Sequence, residues 1–477
     1  MSVTDVTNRL AEFLVYGVTY DKLPAKTVNA AKEKVLDWIG VATAGNLMET
    51  AKTVVEMTKQ AGGASEATLL GHRTRVPALS AAFANGFCSH IIELDDGDSR
   101  NHMHLSCNIM PAALAAAEVA GATGKDLITA VVAGYEAAIR IGNSLLPEHY
   151  DDMGFHITGT AGVFGAAVAA GKILGLDSHE MASALGLAGT QSSGLILSFQ
   201  SDAKPIHAAR AAMNGLLSAM LAKRGITGPS EVLDGSTARG VGFGPAYSGG
   251  KSEPERILTS RRLTQSALKT SEVWEAVPLG ADWEILYCYL RSVPCTFQNI
   301  HQLLDLVVDN NLKPEDVTEV ICNFRASWMK AHGWYCDGSS VGAAKASFPH
   351  IVATTFIYRD LIVKLEQFNK IYTQDPKVLQ FMRKVKMVKV PDEEQEKAKW
   401  YVTIKMQDGK EYGYGFEARK GWPGDWQNPL TKEQIHKKFR WLASRELPSE
   451  KVEVVLDKTN KLEDVADIRE ITDSLRP

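Results

Sequence analysis

The sequence predicts a mainly α protein that contains a smaller α+β part. Over most of the first 225 residues, apolar side chains recur at three- and four-residue spacing, which is the period of an amphipathic helix. Between about residues 270 and 415 they alternate instead, in VTEVICNF and WYVTIKM, which is the period of a half-buried strand. The end of the chain returns to the helical period. The chain has 477 residues, of which 45% are hydrophobic, so it can bury a large core.

The first part of the chain is predicted to be a series of helices separated by short breaks. Pro24 precedes one of them as a helix initiator, and Gly62-Gly63 ends another. The later helices are dense in alanine and glycine, so their axes can approach closely and we expect largely buried packing. From Thr227 to Lys269 the chain is rich in glycine, serine and proline, which predicts a long loop or linker. The predicted helical segments are 4–17, 25–44, 111–141 and 158–174, followed by two helices within 179–225 that a polar interruption separates.

The next part combines strands with helices. Asp408-Gly409 lies between two alternating segments, and this residue pair favours a tight hairpin turn. Helical spacing at 295–310 and 343–366 makes this part α+β. Near the end, Thr431 and Gln434 have the spacing of a capping box, which predicts that a helix begins there. The predicted domains are 1–269 for the first helical part, 270–415 for the α+β part and 416–477 for the return to the helical domain.

Composition and charge exclude several classes of protein. The formal net charge is −4 and the isoelectric point is about 6.3, which leaves no basic surface for nucleic acid. The six cysteines stand singly, without the CxxC spacing of a zinc site, and this favours a reducing cytoplasm. The N-terminus lacks the basic start and apolar core of a signal peptide, and no uncharged apolar run approaches the roughly 20 residues that span a membrane. We expect a cytoplasmic protein with neither nucleic acid nor membrane as a partner.

Acids and imidazoles interrupt the apolar helical sequence between Ser89 and Ala117. Burying one carboxylate without a partner costs several kcal/mol, so acids bordered by apolar residues indicate a polar pocket. The alternative is that the acids cap the following helix and that the histidines lie in solvent. The interrupting residues are Glu93, Asp95, Asp96, Asp98, His102 and His104.

Two further polar interruptions lie in helical surroundings. His156 follows Gly154 and precedes Thr158, at a predicted helix start where the helix dipole favours bound anions. Lys204 and His207 lie between two predicted helices and are candidates to bind carboxylates. The alternatives are a helix-capping role for His156 and a solvated polar break for the other two residues.

A metal site is a second interpretation of the acid-rich stretch. Asp95, Asp96, His102 and His104 have the character of ligands for a divalent metal. Histidines at i and i+2 share one face only where the segment is extended. The residues alone leave this interpretation open.

Three segments of the chain have recognisable motifs: LDDG at 94–97 followed by HMHLS, GFHITGTAGVFGAA at 154–167 and KPIHAARAAMNG at 204–215. These segments resemble the MmgE/PrpD family. RGITGP, VPC followed by His301, and WQNPLTKEQIHKKF extend the resemblance over nearly the whole chain in order. The resemblance implies a large helical domain built from both chain ends, a smaller α+β lid and a homodimer. It also implies that the enzyme uses no metal and no cofactor.

The resemblance assigns roles to individual residues. His104 is expected to act as a general acid or base, because an imidazole titrates near neutrality and a neighbouring carboxylate would raise its pKa. The aspartates are expected to orient the histidines or to share a proton. The resemblance implies catalytic roles for His104, His156, Asp95 and Asp96, and substrate binding by Lys204, His207 and His301.

The chain also departs from the family pattern at four points. Gly97 stands where many members have threonine, and Glu93 stands where some have aspartate. An extra residue separates the aspartates from His104, and His350 replaces a common tyrosine. These changes bear on the substrate and the reaction more than on the fold.

The family includes 2-methylcitrate dehydratase, cis-aconitate decarboxylase and iminodisuccinate epimerase. We therefore predict a lyase that removes a proton beside a carboxylate of a small di- or tricarboxylic acid. In this chemistry cations hold the carboxylates while a neutral imidazole or a carboxylate takes the proton. The leading expectation is a dehydratase for 2-methylcitrate or citrate. The alternatives are a decarboxylase, an epimerase and, from another class, a non-catalytic carboxylate-binding dimer.

Overall fold

Two hydrophobic cores organise the chain in this computed structural model. The first joins side chains between Val6 and Leu290 to side chains between Ile435 and Leu475, and the second lies between Val293 and Tyr414. Helices predominate in the described chain and the sheets are small, so the prediction of a mainly α fold is confirmed. The structure describes residues 5–98, 100–263, 274–295, 300–324, 329, 332–359, 373–391, 401–415, 424 and 427–476.

The first core is made of helices, as the apolar spacing predicted. Before the acid-rich stretch they are α1 (Val6–Glu12), α2 (Ala25–Gly45), α3 (Glu49–Ala61) and α4 (Ala78–Ile91). The two-residue strands β1 (Ala67–Thr68) and β2 (Arg75–Val76) pair between α3 and α4. After the acid-rich stretch come α5 (Ser106–Ala120), α6 (Gly124–Asn143), α7 (Glu148–Asp151), α8 (Ile157–Thr160), α9 (Gly162–Ile173), α10 (Ser178–Gly189) and α11 (Lys204–Lys223).

Helix α11 packs against α4, α5, α9 and α10. Gly215 of α11 lies so close to α9 that a Cβ atom there would be 2.6 Å from the backbone nitrogen of Ala167. The predicted close approach of the alanine- and glycine-rich helices is therefore confirmed. This packing fixes the beginning of α11, where Lys204 lies.

The predicted long loop from Thr227 to Lys269 contains short elements instead, so that prediction is wrong up to residue 263. Two of its strands escaped prediction because two residues cannot show a period of two, and the third, TSRRL, has a single apolar residue and so shows no alternation. Residues 264–269 lie outside the described ranges. The elements are β3 (Ser236–Thr237), β4 (Gly240–Val241), α12 (Phe243–Tyr247), α13 (Glu255–Leu258) and β5 (Thr259–Leu263), which pairs with β6 (Trp274–Pro278).

The second core surrounds a four-stranded sheet. Its strands are β7 (Val317–Phe324), β8 (Val385–Lys389), β9 (Val402–Met406) and β10 (Glu411–Tyr414), in the order β10-β9-β7-β8. Strand β8 runs parallel to β7, and the other pairs are antiparallel. Strands β9 and β10 pair on either side of Asp408-Gly409, so the predicted hairpin is confirmed. Gly409 has a φ of 82°, which glycine adopts without strain. The accompanying helices are α14 (Ile300–Asp309), α15 (Val341–Ala346), α16 (Phe348–Tyr358) and α17 (Pro376–Met382).

The C-terminal helices α18 (Lys432–Ala443), α19 (Ser449–Asn460) and α20 (Arg469–Thr472) return to the first core, where α18 packs on α2. Thr431 and Gln434 form the predicted capping box. The domain boundaries stay predictions, because residues 270 and 416 lie outside the described ranges and the first core extends to Leu290. Among the described helices, none has both the length and the apolar character needed to cross a membrane.

Candidate active site

Three separate segments of the chain meet in one buried cluster of charged and imidazole side chains. The first follows α4, the second opens α11, and the third follows the short 3-10 turn at Glu284–Tyr287. Each of the five residues that meet is at most 6% exposed. We call them the site cluster: Glu93, Asp95, His104, Lys204 and Arg291.

The carboxylate of Asp95 faces two imidazoles. Nδ1 of His90 lies 2.8 Å from its Oδ2, and Nδ1 of His104 lies 3.0 Å from the same oxygen. Because a carboxylate only accepts hydrogen bonds, Nδ1 of His90 carries hydrogen. Nε2 of His104 faces Nη2 of Arg291, which only donates, so the lone pair of His104 is on Nε2 and its hydrogen is on Nδ1. This geometry supports the orienting role expected of Asp95, which stays a prediction.

Burial determines the protonation state of His104. It lowers the pKa of His104 to about 4, because Arg291 and His90 reinforce the effect of burial and Asp95 only partly opposes it. The carboxylate of Asp95 does raise this pKa, as sequence analysis expected, but burial outweighs its effect and the net change is downward. Burial also raises the pKa of Asp95, but His104 and His90 bring it well below its ordinary value. The site therefore holds a neutral imidazole against an ionised carboxylate near pH 7.

Lys204 and Arg291 converge on the carboxylate of Glu93. Nζ of Lys204 forms a hydrogen-bonded ion pair with Oε1, and Nη1 of Arg291 lies 3.0 Å from Oε2. Nη2 of Arg291 lies 3.1 Å from Nε2 of His104. Burial raises the pKa of Glu93, but the two cations hold it below its ordinary value. This arrangement can hold a carboxylate group directly beside a group that exchanges protons.

A second pair of imidazoles adjoins the site cluster. His156 directly precedes α8, and its Nδ1 lies 2.9 Å from Nδ1 of His207 in the first turn of α11. Burial lowers the pKa of both, that of His207 to about 4, and Lys204 lowers them further. The Phe199 ring connects the pair to the cluster, since its centre lies 4.7 Å from that of His156 and 4.8 Å from Nζ of Lys204.

Asp96 lies outside the cluster. Its carboxylate accepts hydrogen bonds from the backbone N–H of Ser106 at 2.8 Å and from the Tyr135 hydroxyl at 2.6 Å. Ser106 is the first residue of α5, so this geometry favours the capping alternative. A catalytic role for Asp96 stays a prediction.

His301 and His350 both lie in the second core. Nε2 of His301 is 2.9 Å from the Ser292 hydroxyl, and the described residues show no contact between His301 and the site cluster. His350 is buried in α16, where Nε2 lies 3.4 Å from the carbonyl oxygen of Thr373. Burial lowers the pKa of His350 to about 4. Substrate binding by His301 stays a prediction.

Of the four residues of the metal interpretation, Asp95 and His104 come together, but Asp96 and His102 do not join them. Asp96 faces away, and the His102 ring lies 5.1 Å from that of Tyr150. A different group, His90, Asp95 and Cys107, has donor atoms within 4.8 Å of one another, but two imidazoles already engage its carboxylate.

Sequence analysis missed Arg291 and His90. Arg291 lies three residues before the VPC motif's proline, so its nearness to that motif was the available signal. His90 lies within the apolar helix α4, where local spacing does not reveal that its ring faces Asp95.

Gly97 explains how the third segment reaches the site. Gly97 and Tyr289 exchange backbone hydrogen bonds of 3.2 and 2.9 Å. A Cβ atom at Gly97 would lie 2.6 Å from Cζ of Tyr289 and 2.9 Å from the carbonyl oxygen of Met103. The threonine of other family members would not fit here unless these atoms shifted. Gly97 therefore allows the close backbone pairing with Tyr289 that brings Arg291 to the site.

Comparisons with known proteins cover nearly the whole chain. Sequence models of the MmgE/PrpD N-terminal and C-terminal domains match residues 8–255 and 295–464. The chain is 25% identical to "Cis-aconitate decarboxylase-like protein oryM" of Aspergillus oryzae, over 99% of this chain and 98% of that protein. It is 25% identical to cis-aconitate decarboxylase of Mus musculus, over 100% and 94%, and 24% identical to that of Aspergillus terreus, over 95% and 93%. These relatives are lyases, and they favour the decarboxylase alternative over the leading expectation of a dehydratase.

Proposed function

Because the chain belongs to the MmgE/PrpD family, we propose that it is a lyase that decarboxylates an unsaturated polycarboxylate resembling cis-aconitate. Relatives aligned over nearly their full length are cis-aconitate decarboxylases or a cis-aconitate decarboxylase-like protein. One observation carries the proposal: Lys204 and Arg291 converge beside the neutral imidazole of His104. Cations that hold carboxylates next to a group that exchanges protons are what this reaction needs.

The proposed step conserves atoms and charge. The bond to one carboxyl carbon breaks, CO2 leaves, and the bond's electrons form a new C=C bond. The original C=C bond breaks, and its electrons form a C–H bond to a proton at the carbon of that bond that lies farther from the lost carboxyl group. His104 supplies this proton: the negative charge of the bound substrate carboxylates raises its pKa from about 4 toward neutrality, so that it takes up a proton from solvent. Asp95 stabilises the imidazolium, while Lys204 and Arg291 hold the carboxylates that remain.

Product analysis in deuterium oxide tests the proposal. The purified protein is incubated separately with cis-aconitate, citrate and 2-methylcitrate, and the products are followed by NMR. We expect cis-aconitate to release CO2 and to give a product with a terminal =CH2 group and one deuterium at the newly protonated carbon. Loss of water from citrate or 2-methylcitrate would support a dehydratase instead. Binding without turnover would support the non-catalytic alternative.

We also propose that the protein is a cytoplasmic homodimer. The family resemblance implies the dimer, and the cysteines suit a reducing compartment. All six cysteines lie among the described residues, where each is buried and none forms a disulfide. Light scattering after size-exclusion chromatography should give a mass near twice the chain mass of 52.0 kDa. The mass of a single chain would contradict the dimer.

A further inference from the structure

The carboxylate of Glu93 occupies the position that a substrate carboxylate requires. Within the described residues, its hydrogen bonds go to Lys204 and Arg291, the two cations of the site. Its Oε2 lies 4.0 Å from Nε2 of His104. We infer that Glu93 is an internal substitute for a substrate carboxylate, and that a carboxylate of the substrate replaces it on Lys204 and Arg291. This inference rests on the proposed function only in that the site binds carboxylates.

The same arrangement blocks the imidazole. Nδ1 of His104 faces Asp95, so the lone pair is on Nε2, where Nη2 of Arg291 lies 3.1 Å away. A guanidinium only donates hydrogen bonds, so Nε2 has no free lone pair while Arg291 stays in place. Arg291 also donates through Nη1 to the carbonyl oxygen of Cys295 at 2.7 Å. A substrate carboxylate that draws Nη2 away therefore frees His104 for proton transfer.

The backbone conformation at Glu93 is compatible with a movement of its side chain. Glu93 lies just beyond the end of α4 and has a φ of 55°, a left-handed conformation that is unfavourable for residues other than glycine. Its N–H makes a long hydrogen bond of 3.4 Å to the carbonyl oxygen of His90. Little regular structure is lost when this segment changes conformation.

A third cation can receive the displaced carboxylate. Lys345 of α15 is 2% exposed, and its Nζ donates a hydrogen bond to the carbonyl oxygen of Ile91 at the end of α4. Burial lowers the pKa of Lys345 to about 8, and the charge of Glu93 acts against this effect, so the two side chains already interact. Movement of Glu93 toward Lys345 would keep its buried charge compensated.

The test is a binding measurement with tricarballylate, a saturated tricarboxylate with neither a C=C bond to protonate nor a hydroxyl to lose. Isothermal titration near pH 7 compares wild type with Glu93→Gln, which leaves both cations without an internal carboxylate. We expect Glu93→Gln to bind tricarballylate about ten-fold or more tightly than wild type. Equal or weaker binding would overturn the inference, as would the absence of binding to either protein.

Glu118→Gln is the matched control. Glu118 is buried in α5 and accepts hydrogen bonds from Thr68 and Thr472, so its substitution removes one buried charge outside the site. It should bind tricarballylate as wild type does, and equal tightening in this variant would also overturn the inference. Where Glu93→Gln does not fold, Glu93→Asp replaces it, since the shorter side chain keeps the charge but reaches the cations less well. Unchanged binding by a folded Glu93→Asp would then overturn the inference.

The binding test of this inference and the turnover test of the proposed function can give different results. Tighter binding to Glu93→Gln in a protein that never decarboxylates cis-aconitate would leave this inference standing and overturn the proposed function. Decarboxylation by wild type with no tightening in Glu93→Gln would do the reverse.

Discussion

Two buried charge clusters lie close together in the chain, but they are built in different ways. The site cluster combines acids, cations and a neutral imidazole around Glu93. The other cluster, which we call the Arg100–Arg140 network, pairs carboxylates with guanidinium groups. Its members are Asp98, Arg100, Glu136, Arg140 and Glu284.

The Arg100–Arg140 network is a fixed structural connection. Arg100 lies 2.8 Å from Glu284 and 2.9 Å from Asp98, and Arg140 lies 2.8 Å from Glu136. The backbone N–H of Glu284 completes it by donating to Glu136 at 2.5 Å. Burial raises the pKa of Glu136 to about 7, with Arg140 opposing and Glu284 adding to the effect, so its carboxyl is partly protonated at neutral pH. The net charge of the three carboxyl groups and the two guanidinium groups is therefore close to zero.

The comparison shows that burial of charge does not by itself identify an active site. The network uses side-chain and backbone groups to hold its charges in place. In the site cluster, by contrast, the carboxylate of Glu93, on a left-handed backbone, pairs with both Lys204 and Arg291 beside a neutral imidazole, although Arg291 also donates to the carbonyl oxygen of Cys295. A ligand carboxylate can replace that one group, whereas the network offers no comparable exchange.

The largest expected effect is that of His104→Gln. Loss of a general acid or base typically costs about 10² to 10⁴ in rate, so kcat should fall by that factor while the fold is kept. The measurement is decarboxylation of cis-aconitate in deuterium oxide, followed by NMR. His102→Gln is the control, because His102 is exposed and packs on Tyr150, and its kcat should stay close to that of wild type. A His104→Gln enzyme as fast as wild type would move the proton donor elsewhere, with His156 as the next candidate.

Arg140→Met should instead destabilise the protein. It leaves Glu136 and Glu284 buried without their shared cation, and breaking such a pair costs about 3 to 5 kcal/mol in the free energy of unfolding. Urea denaturation followed by circular dichroism measures the loss. At low temperature, the folded variant should keep the KM of wild type. A large change in KM without a loss of stability would contradict the proposal that the Arg100–Arg140 network is structural while the site cluster binds substrate.

Lys204→Met should act on substrate binding. A hydrogen bond to a charged group contributes about 1.5 to 3 kcal/mol, so kcat/KM should fall by roughly 10- to 150-fold, mainly through KM. Lys172→Met is the matched control, since Lys172 donates to the carbonyl oxygens of Val15 and Val18 at 2.9 Å, away from the site. Steady-state kinetics with cis-aconitate checks both variants. Unchanged kinetics in Lys204→Met would remove Lys204 from the site.

The smallest expected effect concerns stability at acid pH. The pKa of His350 is about 4 in the folded protein and about 6.5 when unfolded, so the unfolded chain takes up the proton first as pH falls. The stabilisation is complete above the unfolded pKa and is lost between about pH 6.5 and 4, at up to about 1.4 kcal/mol per pH unit. His350→Tyr removes this titration. Urea midpoints measured near pH 7 and pH 5 should therefore fall less steeply for the variant, and equal slopes would contradict a buried, neutral His350.

The sequence by itself determined the features that depend on neighbouring residues. The hairpin at Asp408-Gly409 and the capping box at Thr431 each involve a few adjacent positions, so their residue types suffice to predict them. Helical spacing over long segments likewise determined the fold class. The acid-rich stretch, which contains three members of the site cluster, was found from local composition for the same reason.

Only the tertiary structure decided which polar residues face one another. Asp95 and Asp96 are adjacent, yet one faces two imidazoles and the other caps α5, because neighbouring side chains outside a helix point in different directions. Arg291 reaches Glu93 only because the chain returns and pairs its backbone at Tyr289 with the acid-rich stretch. The state of His104 depends on burial, which is a property of the packed core and not of local spacing.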